Sequence, residues 1–184
     1  MKIPPLSLPQ CLVRLGRDQR GVSAVEFAML LPLMITLYLG VVEISQAVGI
    51  DRKVTLTTRT VADLASQVTS INNADMTNLL GASASVISPY DSTKLKVTVS
   101  QVDIDANGIA KIKWTDTLGG GAPHAVNDIV TVPAALKVPS TSLIWSEVAY
   151  TYTPAVGYVV TGSLNLSDQI YMRPRLSSSV ARVP

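Results

Sequence analysis

Glu26 is a lone carboxylate in apolar surroundings. It stands in Arg20-Gly21-Val22-Ser23-Ala24-Val25-Glu26-Phe27, five positions after a glycine and directly before a hydrophobic run. An unpaired carboxylate in hydrocarbon costs roughly 2 kcal/mol or more, so this group needs a partner. One local solution is a capping box, Ser23-x-x-Glu26, in which the glutamate reaches back to cap a helix start.

The other residues able to do chemistry are sparse. Asp103-x-Asp105-x-Asn107-Gly108 copies the first half of a calcium-binding loop. Position twelve of that loop falls on Trp114, where a bidentate glutamate is required, and position nine is Lys111. Asp103, Asp105 and Asn107 are therefore a weak metal candidate, and the sequence favours a hairpin at Asp105 to Gly108. His124 is the sole histidine and sits in a Gly/Pro-rich loop, where solvent exposure is expected. Cys11, the sole cysteine, lies in the N-terminal stretch, so nothing beyond it can form an internal disulfide. No nucleophile, base and orienting acid can be assembled, and no glycine-rich phosphate cradle precedes a helix. Neither an enzyme nor a cofactor is expected.

The elements that must position Glu26 begin with a membrane candidate. Phe27 to Val42 reads FAMLLPLMITLYLGVV, with Glu43, then Asp51, Arg52 and Lys53, marking the way out. Counted from Val22 the apolar stretch has 21 residues, about 31 Å of helix, which matches a hydrocarbon core of about 30 Å. Leu30, Leu31, Pro32, Leu33, Leu37, Leu39 and Gly40 form its core. Pro32 lacks an N–H, which predicts a bend or loosened turn over Ala28 to Pro32. The helical pattern continues through Val54, Leu56, Val61, Leu64, Ala65 and Val68, so one long helix over 23–69 is predicted.

A second helix is expected from Asn73 or Ala74 to Ser83, weakened at its end by Gly81. The period then changes to two. Leu95, Val97 and Val99 alternate with Lys96, Thr98 and Ser100, and Ala110, Ile112 and Trp114 alternate with Lys111 and Lys113. The stretch Thr117 to Pro139, rich in glycine and proline, reads as a mobile loop with a short turn at Ala134 to Lys137. Strand chemistry returns at Leu143 to Tyr152, with Val148, Tyr150 and Tyr152 on one face. Tyr158 to Val160 is a possible further piece, and an exposed end starts at Met172.

These elements describe an α+β protein: a long N-terminal helix and a small antiparallel sheet head. The domain reading is a basic leader over 1–21, a transmembrane helix over 22–50 and a head over 51–184. Within the head, 51–90 is helical, 94–160 mainly strands and loops, and 161–184 a tail. At 184 residues and 47% hydrophobic the chain is long enough for one membrane segment and one compact domain. Its net charge of +2 is concentrated in the leader, where Lys2, Arg14, Arg17 and Arg20 outweigh Asp18, so no basic stripe remains for nucleic acid. Orientation from charge alone is thin: four basic residues precede the span and Arg52, Lys53 and Arg59 follow it. Ser45-Gln46-Ala47 also offers small residues to a signal peptidase, which would leave Val48 first.

Arg17-x-x-Arg20-Gly21, followed by Val22 to Ala28, resembles the class III leader of type IV prepilins. The motif Arg20-Gly21-x-x-Ala24-Val25-Glu26-Phe27-Ala28, the leucine-rich run with Pro32, and Gly40-Val41-Val42-Glu43 resemble the TadE/TadG-like minor pseudopilins of the tight-adherence, type IVb-like pilus. Tyr150 to Pro154 and Met172 to Arg175 are similar to that family's C-terminal part. The resemblance implies a pilin-like fold and cleavage between Gly21 and Val22 by a membrane prepilin peptidase. It implies that Glu26 and Phe27 set register in an assembly, with Glu26 paired to the new Val22 amine of a neighbouring subunit. Implied partners are that peptidase, the major pilin, other minor pseudopilins and the inner-membrane assembly platform. The implied setting is the bacterial inner membrane, N-terminus cytoplasmic and head periplasmic, with a role in surface adhesion and biofilm formation. The alternative is an uncleaved single-pass scaffold or receptor whose head binds a periplasmic ligand.

Overall fold

The computed structural model describes residues 20–154 and 162–184. Its arrangement is α+β, as expected: one long helix, a shorter one and a small antiparallel sheet. Residues 1–19 of the leader and the Tyr158 to Val160 piece lie outside the described residues.

Helix α1, Arg20–Ser66, runs without interruption through Pro32. Its second half is shaped by one seam: Glu43, Ala47, Ile50, Val54, Thr57, Val61 and Ala65 recur at steps of three and four and are all wholly or partly buried. That spacing keeps one stripe of the helix turned toward the head. Thr57 and Thr58 are tolerated there because each hydroxyl donates to a carbonyl one turn back, Lys53 O and Val54 O, at 2.8 Å. The helix stops at Ser66, short of the expected residue 69, because the chain turns into strand β1, Ser70–Ile71, which pairs with the far C-terminus.

Helix α2, Asn73–Ile87, opens on Asn72, whose Oδ1 accepts the Asp75 amide at 2.8 Å. It passes the expected end at Ser83 because its apolar stripe continues through Met76, Leu80, Ser83 and Ile87. Burial of that stripe outweighs the ~1 kcal/mol that Gly81 costs inside a helix. Pro89, two residues past Ile87, then forbids continuation.

Strands β2 (Leu95–Ile104), β3 (Ala110–Leu118), β4 (Thr141–Tyr152) and β5 (Leu164–Met172) form one sheet in the order β3-β2-β4-β5, every neighbour antiparallel. Leu95, Val97, Val99, Ile144, Val148, Tyr150 and Tyr152 face the helices and close the main core. The alternation reading put Trp114 on one face with Ala110 and Ile112, and the structure corrects it. Gln101 pairs with Trp114 but Val102 pairs with Ile112, so Lys113 is an extra, bulged residue. Beyond it the strand flips: Trp114 joins the helix-side core, whereas Ala110 and Ile112 join a second cluster with Val102, Ile104, Leu143 and Trp145 on the outer face. The Trp114 indole N–H finds a buried acceptor in Val180 O at 2.9 Å.

Two further expectations change. The stretch from Thr117 to Pro139, expected to be mobile, is a strap tied across the outer face. Asp128 O accepts the Ile112 amide, Ala110 O accepts the Val130 amide, and Val132 is buried. It also covers Thr98, whose Oγ1 donates to Ala122 O at 3.1 Å, while Ser100, on the same alternating face, is buried with its hydroxyl donating to Thr115 Oγ1 at 2.9 Å. The segment read as a tail from 161, exposed beyond Met172, instead supplies edge strand β5 and strand β6, Ala181–Arg182. Val180 is buried, and the Arg182 guanidinium reaches Asp116 at 2.9 Å and Asn73 Oδ1 at 2.6 Å. Its hydrogen bonds to Asp116 raise its already high pKa further.

Within the main core Ser146 is fully buried, and its hydroxyl has no partner among the described residues. An orphaned buried hydroxyl costs about 1–3 kcal/mol, and alanine removes it with little loss of volume. Ser146→Ala should therefore raise stability by about 1 kcal/mol in denaturant titration. An equal or lower midpoint would show that Ser146 is solvated.

Candidate functional site: the bare helix and the head that grips its base

The head covers α1 only from Gly40 onward. From Gly21 to Leu39 the helix is largely uncovered among the described residues, and Phe27 and Leu37 keep about 60% of their surface exposed (58% and 62%). This uncovered part has 19 residues, about 28 Å of helix, close to a hydrocarbon core of about 30 Å. Among the described residues α1 is the one helix long and apolar enough to cross a membrane.

Most of the predicted site residues share this bare segment. Leu30, Leu31, Leu33, Leu37 and Phe27 are exposed, Leu39 is half-buried, and Gly40 is buried where the head begins. Pro32 removes the amide that would bond Ala28 O, and Thr36 Oγ1 donates to Pro32 O at 2.8 Å. Leu31, Pro32, Ile35, Thr36 and Leu39 outline a shallow groove of about 320 Å³ on this side.

Glu26 is exposed on the bare helix, and among the described residues no ion pair reaches it. Ser23 is not at a helix start in the uncut chain, because α1 already begins at Arg20. The capping box therefore has no N-cap to serve here. Val22 and Glu26 sit one turn apart, about 6 Å along the axis. Gly21 is exposed, lies inside the helix, and a methyl group added there would meet nothing within 4 Å. Packing gives no reason for a glycine, which costs ~1 kcal/mol relative to alanine in a helix.

At the base of the bare segment, sequence reasoning treated Glu43 as a marker of the way out of the apolar zone. The structure buries it to 3% exposure under the head. The Tyr152 hydroxyl lies 3.4 Å from both Glu43 O and Gln46 Oε1, so the end of β4 is fastened to the helix at this level. Burial, with the Glu43 carboxylate nearby, pushes the Tyr152 phenol above its usual pKa and keeps it a donor. The 3,4 spacing of Glu43 with Ala47 and Ile50 was the available signal.

The remaining candidates separate. Asp105 Oδ1 accepts the amides of Asn107 and Ile109 at 2.8 Å, Asp103 Oδ1 accepts from Gln101 Nε2 at 2.7 Å, and Gly108 takes a positive φ of 77°. These oxygens are spent on a hairpin. His124, expected in solvent, is instead stacked on Trp145 with ring centroids 4.4 Å apart and has Nε2 2.5 Å from Glu147 Oε2. Its partners lie 21 and 23 positions away on β4, and no local pattern announces them.

Residues 21–63 match the family model described as TadE-like protein. The match begins at Gly21, spans the bare segment and most of the gripped half of α1, and ends before the sheet. No curated protein and no solved structure matches the chain.

Proposed function

We propose that this chain, TadE-like over residues 21–63 and so a component associated with the tight-adherence pilus, works as a minor pseudopilin. The observation that carries the reading is the bare helix itself, with Gly21 at its start, Glu26 one turn after Val22, and the head beginning only at Gly40. A prepilin peptidase cuts after Gly21. The glycine's place in open space, where the fold does not require it, suits a protease's need for a small residue better than any structural need. Val22 then carries an ammonium, and Glu26 of one subunit neutralises the Val22 amine of its neighbour in the membrane. Apolar residues from Phe27 to Leu39 pack against the major pilin and other minor pseudopilins on the inner-membrane assembly platform. The N-terminus is cytoplasmic, the head periplasmic or carried into the fibre, and the role is structural rather than catalytic, serving surface adhesion and biofilm formation.

Mass analysis of the N-terminus, from cells with and without the prepilin peptidase, tests this directly. The expected mature chain starts at Val22 when the peptidase is present and keeps its leader when it is absent. Gly21→Ala should leave the head folded and the leader attached. A chain starting at Val48, or one uncut in both strains, would overturn the reading, and the uncut result would favour a stationary membrane scaffold.

A further inference from the structure

The outer face of the sheet holds a cleft of about 450 Å³ that the proposed pilus role does not use. It exists because two cross-strand rows run short of bulk. Lys96 pairs with Ala149 and Ala149 with Ser167; in the next row Thr98 pairs with Glu147 and Glu147 with Gln169. Ala149 leaves the floor low. The strap forms one wall at Gly120 and Gly121, and at Gly121 it can lie so close only without a side chain. A Cβ on Gly121 would fall 2.4 Å from Val97 O and 2.6 Å from Thr98 Oγ1.

Three polar groups of the cleft, Thr98, Glu147 and Gln169, are held in place before any ligand arrives, with Thr98 Oγ1 donating to Ala122 O at 3.1 Å. Glu147 Oε2 is held by His124 Nε2 at 2.5 Å, and that ring is fixed by its stack on Trp145. Trp145 Nε1 donates to Gln169 Oε1 at 3.1 Å, which assigns the amide and leaves Gln169 Nε2 without a partner among the described residues. Ser167 and Lys96 are exposed, and among the described residues no ion pair involves Lys96. Trp145 also stacks on Tyr171, so the aromatic rings pack on one another and leave no slot for a flat apolar ligand.

We infer that this cleft binds a short acidic saccharide, with Glu147, Gln169 and Ser167 taking its hydroxyls and Lys96 its carboxylate. A fixed carboxylate beside a fixed amide offers an acceptor and a donor on neighbouring strands. Sugar hydroxyls each donate and accept and so match that pair. Lys96 is the lining's one lysine; of the two acids there, Glu147 is held by His124 and Asp168 accepts the Gln169 amide, so the lysine selects an anionic ring over a neutral one through a charge-assisted hydrogen bond. The volume lies in the ~300–1,000 Å³ range of small-molecule sites.

The test uses the full chain in phospholipid nanodiscs, titrated with D-glucuronate and with D-glucose and followed by saturation-transfer NMR. Glucuronate should bind with a Kd on the order of 1 mM, and glucose about five- to tenfold more weakly. Lys96→Ala should erase that difference. Ala149→Trp fills the floor at a half-buried position and should abolish both signals with an unchanged melting temperature. Should that variant misfold, Gln169→Ala, at an exposed position, must weaken both sugars. No binding of either sugar, binding indifferent to the cleft variants, or equal binding of the two sugars would overturn the inference.

Discussion

Glu26→Gln should leave the protein abundant and folded in the membrane yet remove it from sheared surface fibres. The amide keeps the size of the side chain and discards its charge, so under the proposed pairing a subunit carrying it would present nothing to neutralise a neighbouring Val22 ammonium. Stranding one member of a buried charge pair costs about 3–5 kcal/mol, roughly two to four orders of magnitude in a partition equilibrium. The head provides the internal control. It grips α1 only from Gly40 onward, 14 residues beyond Glu26, so its melting should not move. Immunoblots of fibre and membrane fractions give the readout. Wild-type amounts in the fibre would show that Glu26 is merely a solvated helix residue.

Gly119→Ala should have the largest effect on the head. Gly119 adopts φ +66°, and a Cβ built there falls 1.9 Å from Leu95 O, a backbone atom at the start of the inner strand β2, where Leu95 pairs with Tyr150. Neither the strap nor β2 can yield without giving up ladder bonds. Left-handed strain adds about 1–2 kcal/mol to the steric term. A total loss of about 3 kcal/mol or more is expected, a fall in melting temperature on the order of 10 °C. Gly120→Ala separates the two causes, because Gly120 also has positive φ, +77°, but open space around it. It should lose only about 1 kcal/mol. Equal losses at the two positions would show that conformation, not contact with β2, decides.

The two predictions draw on different kinds of information. Glu26 could be singled out from eight consecutive letters, because a charge before an apolar run is costly whatever surrounds it. Gly119 could not. Its triplet reads simply as loop, and only the course of the strap over Leu95 and Val97 makes a methyl group intolerable there. His124 is a similar case: a lone histidine among glycines and prolines looks solvent-exposed until the strap lays it on Trp145. Trp114 is the sharpest example. Its alternation with Ile112 is plain in the sequence, yet the bulged Lys113 sends the two side chains to opposite faces. A bulge is a compromise between the pairing demands of two strands and leaves no mark in either alone.

By itself the sequence determined the long helix, the start of α2 at Asn73, the Asp105 to Gly108 hairpin, and strands with their period of two. Each depends on residues within a few positions of one another, where backbone geometry sets the spacing. The tertiary structure decided what no such window contains: Glu43 buried under Tyr152, the C-terminal strands closing on β4 and β1, and the clasp of Arg182 on Asp116 across 66 positions. Those contacts are won in competition with every alternative partner in the chain, and only the folded arrangement records which one prevailed.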